Sequence, residues 1–172
     1  TKRLGFYPED FLKQYEDFKS EIKPKSFCQK LKDARLQIYN DFDKPMEKQL
    51  EREKEIFKPL AEEFVNGKYY ESKQEIKHIA EDKEYNDIWF SFALKELMDE
   101  EQVKTIMNIF INLIREDGGD TYRSSFVFRF CYVFRESKFF ALLLDEILKC
   151  QYLDLYMRLL SHCETDNYTS YS

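Results

Sequence analysis

The sequence predicts an all-α protein, either a helical bundle or a short stack of helical hairpins, with about eight or nine helices. Three observations lead there. Glycine and proline number only 4 each in 172 residues, and sheet proteins draw heavily on both for their turns. Apolar residues recur at intervals of three and four along most of the chain. The breaks between these segments are short, which forces successive helices into antiparallel hairpins.

Pro8 opens a first helix, because proline is pre-set for the first helical position and Glu9 and Asp10 suit the positive end of the dipole. Phe11, Tyr15, Phe18 and Ile22 form its face, and Lys23-Pro24 stops it. Phe27, Leu31, Ala34 and Ile38 repeat the spacing in a second helix. A third opens near Asp43, with Pro45 just inside its start and a thin stripe of Met46, Leu50, Phe57, Leu60 and Phe64. Pro59 is expected to kink it and Asn66-Gly67 to end it in a left-handed stop. Residues 47–55 are almost wholly charged, so this helix faces solvent over most of its circumference or awaits a partner.

Tyr69 to Ala80 reads as a weaker fourth helix, and Tyr85, Ile88, Trp89 and Phe92 mark a more buried fifth. The sixth carries Val103, Ile106, Met107, Phe110, Leu113 and Ile114, with Asp99 as its cap. Gly118-Gly119 ends it. Phe126, Val127, Phe128, Phe130, Cys131, Val133 and Phe134 surround a seventh on nearly every side, as a central helix requires. Ser137 caps the eighth, with Phe139, Phe140, Leu142, Leu143, Leu144, Ile147 and Leu148. Leu153, Leu155, Tyr156, Leu159 and Leu160 make the last. A stack of such hairpins is HEAT-like in kind, but no repeat consensus is legible, so bundle and stack stay equally open.

The first half is the more charged: residues 1–87 hold 18 of the 27 basic and 20 of the 33 acidic side chains. With no linker in sight, one helical domain is expected over 1–163, its charged sub-region at 1–84 and its apolar core at 85–163. Residues 164–172 read as a disordered tail. The net charge of −6 disfavours a general nucleic-acid coat. Arg129, Arg135, Glu136 and Lys138 interrupt the most apolar stretch, which excludes a membrane span there. Neither paired cysteine spacing nor a secretory leader is visible, which points to an intracellular, cytoplasmic or nuclear, setting with free thiols.

No signature calls for a metal, a cofactor or a small-molecule substrate, and an enzyme is not expected. Glu75-x-x-His78 has half of a di-iron helix motif and lacks its companions. His162-Cys163 places neighbouring residues about 100° apart on a helix, too divergent for one ion. What remains is a protein–protein interaction module, a subunit or adaptor that takes a partner helix or peptide in a groove. The 12 tyrosines and 16 phenylalanines exceed what a small core needs and favour interface anchors. Tyr69 and Tyr70 are the expected docking pair. The alternative is an RNA-associated domain that uses Arg123, Arg129, Arg135 and Lys138 as a basic, aromatic-flanked face. Against it, those cations can equally serve internal ion pairs with Asp145, Glu146 or Asp154.

Overall fold

The computed structural model describes residues 12–14, 24–40, 45–82, 88–117 and 125–164. These hold eight α-helices, one 3₁₀ turn and no strand. The helices are α1 (Phe27–Asn40), α2 (Met46–Asn66), α3 (Lys73–Glu81), α4 (Ile88–Leu97), α5 (Glu100–Asp117), α6 (Ser125–Val133), α7 (Lys138–Lys149) and α8 (Leu153–Glu164), with the turn at Tyr69–Glu71. Of the expected helix from Pro8 to Ile22 the described part, residues 12–14, is helical and exposed; the rest of it, the Gly118-Gly119 stop, Arg123 and residues 165–172 of the tail lie outside the described residues.

From α2 onward most helices pack on the helix two places along. α2 lies beside α4, α4 beside α6, and α6 beside α8; α1, α3, α5 and α7 neighbour one another in a second layer. α1 also packs on α2 and α7 on α8. This alternation sorts the described helices into two layers of an all-α bundle.

Phenylalanines join the layers. The Phe90 ring lies 5.8 Å from Phe27, 5.6 Å from Phe64, 6.3 Å from Phe57 and 6.2 Å from Phe126. The series continues through Phe126 and Phe130, 6.0 Å apart, to Phe134 at 4.4 Å from Phe130. Phe64 and Phe110 meet their neighbours Phe90 and Phe130 edge to face, each at 88°, the arrangement that ring quadrupoles favour. Among the described residues, most of the aromatics that suggested interface anchors are therefore core packing. The charged amino-terminal helices supply part of that core, since Phe27, Leu31, Phe57, Ala61 and Phe64 are all buried.

Local chemistry sets the helix ends, and here several expectations change. Pro45 is the residue before α2 and not inside it, and α2 runs through Pro59 to Asn66. Pro59 and Glu55 are both exposed, so the carbonyl that proline leaves without a donor faces water. Gly67 has φ −79° and is not left-handed; the left-handed residue is Lys68 at φ 55°. Space is what requires glycine at 67: a Cβ there would stand 2.7 Å from the Tyr69 ring and 2.9 Å from the Glu63 carbonyl oxygen. The fourth expected helix divides in two, because the Ser72 hydroxyl accepts from the Glu75 amide and starts α3 after the 3₁₀ turn. On α4 the buried residues are Phe90, Ser91 and Leu94, whereas Ile88, Trp89 and Phe92 are half-buried. α8 extends through Glu164, one residue into the expected tail. None of the described helices is long and apolar enough to cross a membrane.

Replacement of Phe90 by alanine removes the ring common to four aromatic contacts, and urea unfolding should show a loss of about 3–5 kcal/mol. The same change at Leu142, an exposed position, is expected to cost no more than about 0.5 kcal/mol.

Candidate interaction cleft and the basic residues

Two corners of the bundle face each other. The link between α4 and α5 is only Met98-Asp99, and that between α6 and α7 runs from Phe134 to Ser137. Capping makes both corners sharp. The Asp99 carboxylate accepts from the Gln102 amide at 2.9 Å, while the Gln102 side chain accepts from the Asp99 amide at 3.0 Å, a reciprocal capping box. The Ser137 hydroxyl accepts from the Phe139 amide at 3.3 Å. The sequence anticipated both caps.

Between the corners lies an open cleft of about 390 Å³. Met98, Val103, Val133 and Phe134 give it an apolar floor, where the phenylalanine series ends. Lys95, Asp99, Glu100, Glu136 and Lys138 give it a rim of mixed charge. Lys138 joins the two corners through a 2.8 Å ion pair with Glu100. The hydrogen bond to Glu100 raises the Lys138 pKa above its ordinary value, so the lysine is held charged.

The residues singled out from sequence do not form one site. Lys138 lines the cleft. Arg135 folds back on its own helix, where Nη1 donates to the Tyr132 carbonyl at 2.9 Å and the guanidinium lies 4.4 Å over the Tyr132 ring. Arg129 stands by His162, whose ring is 5.3 Å from Phe128. Two of the three acids proposed as internal partners are engaged elsewhere, Glu146 by Arg115 at 2.7 Å and Asp154 by Arg158 at 3.1 Å.

The tyrosine pair is a correction. Tyr70 is 8% exposed, and its hydroxyl accepts from the Gln102 side chain at 3.5 Å. The Tyr69 ring lies 4.9 Å from Phe27 and 6.4 Å from Phe64. Tyr70 closes the fold on itself, while Tyr69 stays half-buried beside Phe27 and Phe64.

The thiols and histidines sit apart from the cleft. Burial raises the Cys28 thiol, which is 3.7 Å from the His78 carbonyl oxygen. It also raises Cys131 well above its ordinary value and takes Cys163 to about 11, although Arg135 opposes the latter shift. His78 is exposed, and Glu75 serves at the start of α3. Among the described residues no three His, Cys, Asp or Glu side chains come together as a metal site would require.

Sequence reasoning named Lys138 but missed the cleft floor. Its signal was present as two very short breaks in apolar periodicity, which bring two helix starts together only once the layers are stacked. No protein-family model matches the chain, and comparison with curated proteins and with solved structures finds no match either.

Burial, and secondarily the Arg129 guanidinium, holds His162 below its ordinary 6.5. Below that pH the unfolded chain binds a proton that the folded protein resists, so stability falls as pH falls. Urea midpoints at about pH 7 and about pH 5 should therefore diverge more for the wild type than for His162→Gln. Alkylation of Cys163 by iodoacetamide should keep accelerating past pH 9.0, the ordinary thiol value, towards about 11.

Proposed function

We propose that this chain is a non-enzymatic protein–protein interaction module, a subunit or adaptor of a larger assembly. It takes an apolar side chain of a partner's helix or peptide into the cleft between the α4–α5 and α6–α7 corners. The observation that carries this reading is the combination of an apolar floor with a charged rim. Half-buried Met98, backed by Val103, Val133 and Phe134, which are 4%, 2% and 7% exposed, offers contact to one anchor residue, and the flanking lysines and acids offer orientation. A volume of about 390 Å³ is at the small end of ligand sites and suits such an anchor. The four unpaired cysteines fit work inside the cell, in cytoplasm or nucleus.

The RNA reading has less support. Lys138 is tied to Glu100 and Arg135 to Tyr132, so two of its cations are already engaged within the fold. Counterion release needs several lysines or arginines facing phosphate together.

Selection of displayed peptides on the immobilised chain tests the proposal. Enriched peptides should share a large apolar residue beside a basic one, since Asp99, Glu100 and Glu136 outnumber Lys95 and Lys138 on the rim. Met98→Glu is expected to weaken them by about tenfold or more, or about 1.4 kcal/mol, while Leu153→Glu leaves them unchanged. Peptide binding indifferent to Met98→Glu would remove the cleft from consideration. Binding of a labelled single-stranded RNA that falls steeply with salt would favour the RNA reading instead.

A further inference from the structure

α5 and α7 are tied to each other twice, and the two ties differ in kind. At the far end of both helices Arg115 holds Glu146 at 2.7 Å, and the Glu146 side chain is only 15% exposed. At the near end Lys138 reaches Glu100 at 2.8 Å, with the two side chains 67% and 64% exposed. Lys138 and Glu100 both line the cleft, one from each corner, so this second tie crosses it. Among the described residues it is the ion pair that joins two lining residues.

A lysine that crosses a cleft brings its stem as well as its charge. The four methylenes lie along apolar surface while the ammonium stays in water. Lys138 starts beside Phe139, with Nζ 5.1 Å from the centre of that ring, and ends at the start of α5. Below it the floor is covered: Val103, Val133 and Phe134 are buried and Met98 is half-buried.

We infer that Lys138 and Glu100 form a strap across the cleft, closed in the free chain and released when a partner's side chain enters. The inference rests on the reading of the cleft as a docking site and adds the device that controls entry. Three observations make the strap able to open. Ion pairs this exposed contribute little to stability and are screened by salt. The Arg115–Glu146 tie keeps α5 and α7 together when the strap is released. Glu101, which does not line the cleft, also attracts Lys138 and gives the freed ammonium a place outside it. A closed strap lowers the apparent affinity of the cleft by the fraction of molecules that are open.

The methionines report the strap without any partner. Met98 lies in the cleft, Met107 is 1% exposed and Met157 is 62% exposed, so the last two are internal references. The full chain with isotope-labelled methionine methyl groups is titrated with a neutral gadolinium chelate, and the broadening of each methyl resonance is read by NMR. Lys138→Ala and Glu100→Gln should each raise the broadening at Met98 by about twofold or more. Met107 should stay protected and the thermal melt unchanged, because both substituted side chains are exposed. Glu100→Lys/Lys138→Glu rebuilds the bridge with its charges exchanged and should return Met98 to the wild-type value. Salt raised from about 0.05 to about 0.5 M should expose Met98 in the wild type and not in Lys138→Ala. Met98 broadening unchanged in both single variants, or not restored by the exchanged pair, would overturn the strap. Peptides selected on the wild type should bind Lys138→Ala about threefold tighter or more. Met98 exposed in the single variants and restored in the exchanged pair, with no selected peptide sensitive to Met98→Glu, would support the strap and overturn only the docking reading beneath it.

Discussion

The bundle depends on a run of phenylalanine rings that passes from one layer to the other and back. Phe90 is its centre, in contact with Phe27 of α1, Phe57 and Phe64 of α2, and Phe126 of α6. Rings have no hydrogen bonds to satisfy and few rotamers to lose, so they can join four helices without demanding polar partners in the interior. They are also wide enough to hold helices apart at a fixed distance. The interior is close-packed, and removal of one ring would leave a cavity lined by the others.

This run also fixes the relation between fold and candidate site. It ends at Phe134, where the chain turns from α6 into α7 and the last ring lines the cleft floor beside Val133. The same turn releases Lys138 to bridge to Glu100 at the start of α5. Two layers that alternate along the chain thus bring two remote corners together. Polar bridges at the surface, including Lys30–Glu63 and Lys73–Glu116, tie neighbouring helices in addition. Exposed pairs of this kind add little to stability, so the rings and not the charges carry the architecture.

Much of the fold was legible in the residues. Phe27, Leu31 and Ala34 are buried at the spacing that marked their helix, and Asp99 and Ser137 cap the helices that they announced. The sites were far less legible. Tyr69 and Tyr70 looked like surface anchors because aromatic pairs next to a glycine carry no sign of direction. The 3₁₀ turn buries Tyr70 and leaves Tyr69 half-buried beside Phe27. Arg123, Arg129, Arg135 and Lys138 looked like one basic face because they share a short segment, yet Arg135, in the link after α6, folds back over Tyr132 while Lys138 belongs to the next helix and another partner.

By itself, the sequence determined the helical class, the helix starts set by side-chain caps, and the apolar periodicity that selects each buried face. Those properties are local: each is fixed by residues within one or two turns of one another. Tertiary structure alone decided that the helices form two layers, that Phe90 joins four helices, and that Met98 and Phe134 line one cleft. The physical reason is that periodicity records which side of a helix is apolar and carries no record of which helix will cover it.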